Sequence, residues 1–283
     1  MDIIHSISRM QQRAMAARAE NRSLVLVPTM GFLHEGHLSL LREGRQRGDL
    51  LVLSIFVNPT QFGQGEDFAD YPRDLQRDSA LAEEAGVDII FAPTAKEMYP
   101  ADYTTFVAVE GVTETLCGAS RPGHFRGVTT VVNKLFNIVQ PHSAIFGTKD
   151  FQQLVVIRRM TNDLNLPIEI VGMPIHREAD GLAMSSRNHY LSAEQRVQAL
   201  ALNRALNTAR TMVAAGERDC ATIIEQLRQL ISAQPDARID YVQICTGDSL
   251  AEQQRIDERS VLLLAVFVGT TRLIDNAALG DAL

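Results

Sequence analysis

The sequence has few cysteines, and no two of them stand at a metal-binding spacing. The three are Cys117, Cys220 and Cys245, and none belongs to a Cys-x-x-Cys motif. An odd, widely spaced set argues against a disulfide framework and against a cysteine-based zinc site. The opening MDIIHSIS also lacks the basic and apolar regions of a secretory signal peptide. We therefore expect a protein of the reducing cytoplasm.

Positive charge and long apolar runs are also scarce. The 283 residues include 27 Lys and Arg against 34 Asp and Glu, a net charge of −7. Proteins that bind nucleic-acid backbones normally carry the opposite sign, so no nucleic-acid partner is expected. The longest apolar run, residues 261–268, is far shorter than the ~20 residues of a membrane span. No membrane partner is expected either, and the length suits about two domains.

Two common nucleotide-binding motifs are missing. No GxxxxGK[ST] run is present, which excludes a P-loop at the level of sequence. The GQG at residues 63–65 is the nearest approach to a dinucleotide fingerprint, but it lacks the third glycine. It also does not lie between a strand and a helix, so we discard it as a nucleotide site.

Short apolar runs alternate with helical patterns over the first 175 residues. Five runs rich in Val, Ile and Leu are continuously hydrophobic, which is typical of parallel strands covered on both faces. They lie at residues 24–28, 50–57, 87–92, 143–147 and 168–173. Residues 127–139 place apolar side chains along one helical stripe. This order predicts an α/β fold, with a Rossmann-like, doubly wound parallel sheet in residues 1–175.

The pattern changes near residue 175. Ser192 and Gln195 have the spacing of a capping box at the start of a long helix. A second helix follows Asp219. Two strand-like runs complete this part, at residues 238–245 and 261–268. We expect residues 176–283 to form a smaller α+β C-terminal lid domain.

The first junction between a strand and a helix carries a pair of histidines. The run TMGFLHEGH at residues 29–37 follows the strand pattern of residues 24–28. Ligands of open α/β sheets bind at the carboxyl ends of strands, where a helix N-terminus offers N–H groups and partial positive charge to a phosphate. His34 and His37 are three residues apart, so both rings lie on one side of the first turn. Gly36 leaves room for a flat base.

Two other interpretations of these histidines were weighed. HEGH is one residue shorter than the zincin motif HExxH, so its side chains have the wrong helical phase for zinc. Two histidines can also be ordinary surface or core residues. Their position between a strand and a helix favours a functional role.

HEGH after TMGFL resembles the HIGH-type motif of the nucleotidyltransferase superfamily. The surrounding sequence is similar to one family of that superfamily, the pantothenate synthetases or pantoate–β-alanine ligases. The matching blocks are residues 27–37 (VPTMGFLHEGH), 54–62 (SIFVNPTQF), 71–78 (YPRDLQRD), 121–128 (RPGHFRGV), 146–153 (FGTKDFQQ), 180–192 (DGLAMSSRNHYLS) and 272–276 (RLIDN). One such motif is a weak signal, but an ordered set over nearly the whole chain is highly specific.

The resemblance implies an AMP-forming acid–amine ligase of pantothenate and coenzyme A biosynthesis. Members of the family make pantothenate from ATP, (R)-pantoate and β-alanine through a pantoyl adenylate, and release AMP and diphosphate. The first step needs cations and N–H donors placed in advance around the phosphates. The second depends on holding an amine against an activated acyl carbon. We expect ATP with Mg²⁺ as a substrate, no tightly bound cofactor and no metal ligands in the protein.

The resemblance also assigns site residues. The ATP-binding residues it implies are Met30, Gly31, Phe32, Leu33, His34, Glu35, Gly36, His37, Gly147, Thr148, Lys149, Asp150, His176, Met184, Ser185, Ser186 and Arg187. The catalytic residues it implies are His37, His34, Lys149 and Arg187. His37 is expected to donate a proton, or positive charge alone, to the phosphates.

Two of these segments have ordinary alternatives. Lys149 and Asp150 are also what a plain helix start contains. Residues 184–187 are also what a polar loop before a helix contains. Two hydroxyls and a guanidinium nevertheless suit phosphate oxygens. The position of this segment between the domains predicts closure over ATP.

Gln61 and Gln153 match the pair that binds pantoate in the family. A carboxamide donates and accepts hydrogen bonds without neutralising the carboxylate nucleophile. The ordinary alternative is two surface glutamines. Asp78 opens the adjoining helix, where an aspartate usually caps the helix, although it could also help to bind Mg²⁺ through phosphate or water. Weaker candidates for lining the pocket are Asn58, Tyr71 and Arg121.

Rival functions were compared with the ligase. A nucleotidyltransferase of the same fold would transfer AMP to a phosphate, but the glutamine pair and the second domain favour the ligase. A tRNA-charging enzyme shares the HIGH-type motif, but the chain lacks a basic face and an anticodon-sized extension. A non-enzymatic nucleotide sensor would be expected to lose the predicted catalytic residues, which are all present. A homodimer is expected from the family, with the alternating run 104–110 as an exposed or pairing strand at the contact.

Overall fold

The first part of the structure, a computed structural model described for residues 1–280, is built on a six-stranded parallel sheet. Its strands are β1 (Asp2–Ile4), β2 (Leu24–Thr29), β3 (Leu50–Ile55), β4 (Ile89–Phe91), β5 (Ser143–Gly147) and β6 (Glu169–Met173). Their order across the sheet is β1-β4-β3-β2-β5-β6. The chain reverses its direction of progress between β2 and β5, so a crevice opens there at the carboxyl ends of the strands.

The helices that connect these strands cover both faces of the sheet. They are α1 (Ile7–Ala19), α2 (Glu35–Arg47), α3 (Leu75–Glu84), α4 (Ala95–Met98), α5 (Cys117–Ser120), α6 (His124–Val139) and α7 (Phe151–Asp163). In β2, Leu24 and Leu26 pack in the core with α1, α6 and α7. Val25 and Val27 face the opposite layer, with α2 and α3. The central strands β2 and β3 are buried on both faces over most of their length, and their residues are therefore mainly hydrophobic.

The second part of the described chain is a three-stranded antiparallel sheet with two helices packed on it. Its elements are α8 (Ala193–Ala214), α9 (Cys220–Ser232), β7 (Ala237–Thr246), β8 (Ser260–Val268) and β9 (Thr271–Ala278). The capping box before α8 is formed, since the Gln195 amide donates to Ser192 Oγ and the Ser192 amide donates to Gln195 Oε1. Apolar side chains of both helices and of the sheet make a separate core.

The predicted α/β fold is confirmed, and each of the seven apolar runs predicted as strands overlaps an observed strand. Two further strands, β1 and β9, were not predicted. Three residues are too few for β1 to show a pattern, and β9 carries the buried polar residues Asp275 and Asn276 in its centre. The domain boundary near residue 175 falls just after β6 and stays a prediction.

Residues 104–110, predicted as an exposed or pairing strand, form no strand within the described structure. Their backbone is instead bonded to side chains of α6. The Val107 amide donates to Thr130 Oγ1 at 3.0 Å, and Thr129 Oγ1 donates to the Val107 carbonyl at 2.7 Å. Threonine hydroxyls thus satisfy the groups that a neighbouring strand would otherwise satisfy. The role of this segment in a dimer stays a prediction.

No helix formed by residues 1–280 combines the length and the apolar character needed to cross a bilayer.

Candidate active site

A cavity of about 240 Å³ opens at the crevice between β2 and β5. It is lined by the β2–α2 turn, by short 3-10 turns at Pro59–Gln61 and Thr148–Asp150, and by the segment after β6. The predicted residues that line it are Met30, His34, Gly36, His37, Gln61, Gly147, Lys149, Asp150, Gln153, His176, Met184, Ser185, Ser186 and Arg187. Side chains that are far apart in sequence therefore meet in one cavity.

Other predicted ATP-binding residues lie outside this lining. They are Gly31, Phe32, Leu33, Glu35 and Thr148. Leu33 is fully buried in the core beside α2, and Glu35 forms an ion pair with the exposed Arg42. Leu33 and Glu35 thus contact the core and α2, and the part of all five residues in nucleotide binding stays a prediction.

Asp78 holds the β2–α2 turn from a neighbouring helix. Its carboxylate is 1% exposed and accepts hydrogen bonds from the amides of Phe32 (2.7 Å) and Leu33 (2.8 Å). Burial raises the pKa of Asp78, and the two amides oppose that rise. The prediction that Asp78 caps α3 is wrong, because Asp74 is the N-cap and accepts from the Arg77 amide. The Asp78 carboxylate stabilises the β2–α2 turn instead.

Gly31 adopts a conformation that the turn requires. Its φ is +86°, in the region where only glycine is unstrained. A Cβ at this position would also lie 3.0 Å from Asp78 Oδ2. The backbone can therefore approach Asp78 closely only with glycine at position 31.

His34 and His37 stack at the N-terminus of α2, with ring centroids 4.0 Å apart. Burial and the nearby Lys149 lower the pKa of His34 to about 4. Burial, followed by His34 and Lys149, lowers the pKa of His37 well below 6.5. The His34 amide donates to His37 Nδ1 at 3.3 Å, so the neutral ring of His37 carries its hydrogen on Nε2. Burial therefore favours the neutral form of both rings at pH 7, and a cationic His37 requires an anion beside it.

The amide side chain of Gln61 is held by Asn58. Asn58 is 1% exposed, and its Nδ2 donates to Gln61 Oε1 at 3.0 Å and to the Gly127 carbonyl at 3.1 Å. A Cβ on Gly127 would lie 2.4 Å from the carbonyl oxygen of Thr60, so α6 packs directly on the turn that carries Gln61. Gln153 lines the same cavity from α7. The predicted glutamine pair is thus brought together.

Arg121 and His124 form a bonded group beside Gln61. Arg121 donates to both carboxylate oxygens of Glu66, at 2.7 and 2.6 Å. His124 lies 3.2 Å from Arg121 Nη1 through Nε2 and 2.9 Å from the Gln61 carbonyl through Nδ1. Burial and the Arg121 charge lower the pKa of His124 to about 4. The neutral ring therefore accepts from Arg121 and donates to the backbone of Gln61.

Arg187 is bonded to the carboxylate of Asp67. Its Nε and Nη2 donate to the two oxygens of Asp67, at 3.1 and 3.0 Å. Planar pairs of this kind present the same fork that a guanidinium offers to a phosphate. Glu66 and Asp67 are neighbours in sequence, so one loop supplies the acidic partners of both Arg121 and Arg187.

The segment after β6 contacts the β2–α2 turn directly. The Gly36 amide donates to Met184 Sδ at 3.2 Å, and the Met184 amide donates to the His176 carbonyl at 3.0 Å. A Cβ on Gly36 would lie 3.0 Å from the His34 ring and 3.6 Å from His176 Cβ. The space that glycine leaves here lies between these two histidines.

A second cavity of about 710 Å³ lies between the parallel sheet and the second sheet. It shares part of its lining with the smaller cavity. The shared residues are Arg121, His124, Lys149, Asp150, Gln153, Ser185 and Arg187. Several cationic side chains therefore stand where the two cavities meet.

Sequence reasoning did not find several of these polar residues. His124 and Asn276 lie inside the matching blocks RPGHFRGV and RLIDN, which was a usable signal. Glu66 and Asp67 lie outside every matching block. An acidic loop of that composition is usually a solvated surface.

The sequence model of the Pantoate-beta-alanine ligase family matches residues 2–278. The chain belongs to the pantoate–β-alanine ligase family. Curated relatives are similar to this chain over nearly their whole length. A pantothenate synthetase of Syntrophotalea carbinolica is 63% identical over 276 residues, covering 98% of both chains. One of Moorella thermoacetica is 59% identical over 279 residues, covering 99% of both chains.

Solved structures of pantoate–β-alanine ligases have the same fold. Pantothenate synthetase from Thermus thermophilus is 44% identical, with a TM-score of 0.93, and the match covers 99% of this chain and 100% of that one. Pantoate–β-alanine ligase from Francisella tularensis is 31% identical, with a TM-score of 0.83, and the match covers 99% of this chain and 98% of that one. The Francisella protein was solved in complex with beta-gamma ATP and β-alanine.

Proposed function

We propose that the protein joins (R)-pantoate to β-alanine at the expense of ATP. A pantoate carboxylate oxygen attacks the α-phosphorus of ATP, and the bond to the bridging oxygen breaks as diphosphate leaves. The β-alanine nitrogen then attacks the acyl carbon of the pantoyl adenylate, loses a proton and displaces AMP. Membership of the ligase family supports this reaction. The main observation in its support is that side chains suited to binding phosphate and carboxamide side chains line the same cavity.

The cationic side chains suit the first step. Lys149 lies in the turn after β5, and Arg187 lies in the segment after β6. Together with the N-terminus of α2 they offer positive potential to the charge that develops on the diphosphate. The Nε2 hydrogen of His37 is a further donor. These features support the assignment of His37, Lys149 and Arg187 as catalytic, and the catalytic role of His34 rests on the family resemblance.

The carboxamides suit pantoate. Gln61 is fixed through Asn58 and His124, and Gln153 stands on a separate helix. A substrate with hydroxyls and a carboxylate is matched by groups that both donate and accept. The larger cavity meets the smaller one at Lys149, Gln153 and Arg187, so it offers the amine a route to the acyl carbon.

Mg²⁺ is proposed as part of the nucleotide substrate. Among residues 1–280, no three His, Cys, Asp or Glu side chains are grouped so as to hold a metal ion. Phosphate oxygens are suitable ligands for Mg²⁺, which keeps several waters and few protein ligands in such sites. When bound, the ion would neutralise phosphate charge, and Lys149 and Arg187 would orient the same oxygens.

The homodimer and the cytoplasmic location are also proposals. No disulfide joins the cysteines in the described chain, which supports a reducing compartment. Light scattering at micromolar concentration measures the oligomeric state directly.

Asp67→Asn is expected to tighten ATP binding by about 3- to 5-fold. Phosphate and the Asp67 carboxylate compete for the Arg187 guanidinium, and a partly exposed pair of this kind contributes about 1 kcal/mol or less. Titration calorimetry with Mg-ATP measures the change. Asp102→Asn, at an exposed position that lines neither cavity in the described structure, is the control and should not alter the affinity. Weaker binding in Asp67→Asn would contradict competition and would show that Asp67 supports the bound state.

The proposed function is tested by exchange of labelled diphosphate into ATP. Pantoate with Mg²⁺ should support exchange without β-alanine, and β-alanine should be required for sustained AMP production. ATP binding without either reaction would mean that the fold is correct and the substrate wrong. Transfer of AMP to a phosphate acceptor would then favour the nucleotidyltransferase alternative.

A further inference from the structure

Strand β9 of the second sheet reaches the turn that carries Lys149. Asn276, on β9, is 6% exposed. Its Nδ2 donates to the carbonyl oxygen of Thr148 at 2.9 Å and to that of Lys149 at 3.0 Å. Both hydrogens of the carboxamide are therefore bound to consecutive residues of one turn. The turn belongs to the parallel sheet, whereas Asn276 belongs to the other core.

Asn276 is itself held in place. Its amide donates to Asp275 Oδ1 at 2.9 Å. Asp275 is 2% exposed and forms a two-point ion pair with Arg177, at 2.7 and 2.9 Å. Pairing of Asn276 with Leu263 on β8 fixes the backbone. A donor whose backbone and neighbours are fixed can impose a position on its acceptors.

We propose that Asn276 is a positioning residue for Lys149. It sets the turn so that the ammonium group is directed to the cavity in which diphosphate departs. Asn276 lines the larger cavity and not the smaller one, and both contacts of its Nδ2 are to the backbone of the turn that carries Lys149, so its effect on the phosphates passes through Lys149. This inference rests on the proposed function.

The chemistry of the contact requires a carboxamide. Two carbonyl oxygens face position 276, and only an NH₂ group of this length can donate to both. Alanine would leave both oxygens without this donor, and aspartate would place a carboxylate against them. Either change keeps Lys149 in the sequence but removes the hydrogen bonds that hold its turn in place.

The test is a double-mutant cycle on the diphosphate–ATP exchange. Asn276→Ala is expected to lower kcat by about 10- to 100-fold, as for a misplacement of about 1 Å. KM for ATP should change by less than about 3-fold, because the loss falls mainly on the transition state. In a Lys149→Ala background the same substitution should cost nothing further. Asn276→Asp should lose at least as much as Asn276→Ala.

Val268→Ala controls for stability. Val268 is fully buried in the core of the same sheet and lines neither cavity in the described structure. It should lower Tm without lowering kcat. If Asn276→Ala does not fold, Asn276→Ser, which keeps one donor, is measured in its place.

Two outcomes overturn the inference. The first is a kcat within about twofold of wild type in Asn276→Ala, and the second is losses that multiply in the double variant. A wild-type protein without pantoate-dependent exchange would overturn the proposed function instead. The cycle is then measured on diphosphate binding by calorimetry. There the expected weakening in Asn276→Ala must again disappear when Lys149 is alanine.

Discussion

Lys149→Ala is expected to lower kcat for pantoate-dependent exchange of diphosphate into ATP by about 10³-fold. One preorganised donor to a developing anion is worth about 10²- to 10³-fold, and Lys149 carries a full charge. The residue lines both cavities from the turn at the end of β5. The loss should fall on kcat more than on KM for ATP, because the diphosphate gains charge as its bond breaks.

Lys96→Ala is the matched control for this prediction. Lys96 is exposed on α4 and lines neither cavity in the described part of the chain. It should leave both constants unchanged. If Lys149→Ala raised KM with kcat retained, Lys149 would contribute equally to the ground state and the transition state, and its catalytic role would be wrong.

His37→Ala is expected to lower kcat by about 10²- to 10³-fold, and His37→Gln by about tenfold. Glutamine keeps an N–H donor close to the position of Nε2, whereas alanine removes it. His5→Gln, on the exposed surface near the N-terminus, is the control.

The expected pH dependence of the activity follows from the burial of the His34 and His37 rings. The pKa of His37 lies well below 6.5, and that of His34 is about 4. The free protein therefore gains these protons only in acid, and the His34 limb of kcat/KM for ATP should lie below about pH 5. Bound phosphate raises the pKa of a neighbouring imidazole, so any limb in kcat should lie at higher pH than its counterpart in kcat/KM. A wild-type limb in kcat/KM between pH 6 and 7 that vanished in His37→Gln would show a resting cationic histidine, contrary to the structure.

The sheet and the position of the site were predictable from the sequence. Continuous apolar runs mark the central strands β2, β3 and β5, because burial on both faces leaves few polar positions. The junction after β2 then places TMGFLHEGH at a carboxyl end. Strand β9 has no such pattern, since Asp275 and Asn276 are buried polar residues satisfied by distant partners.

The polar support of the site was less predictable, because it depends on contacts between distant residues. Asp78 contacts Phe32 across 46 positions and Asp67 contacts Arg187 across 120. Local spacing carries no information about such pairs. The low pKa of His37 was not predictable for the same reason, since its burial is a property of the assembled turn and not of the motif.

The bond between Asp78 and the β2–α2 turn bears on attempts to transplant the motif. A designer who grafted residues 29–37 onto another parallel sheet would copy both histidines and the glycines. The graft would lack the carboxylate that accepts hydrogen bonds from the amides of Phe32 and Leu33. Without those bonds, nothing would hold Gly31 in its left-handed backbone conformation. A graft of this motif must therefore also include an acidic residue on an adjacent helix. Substitutions at the Phe32 side chain should be tolerated more readily than any at Asp78.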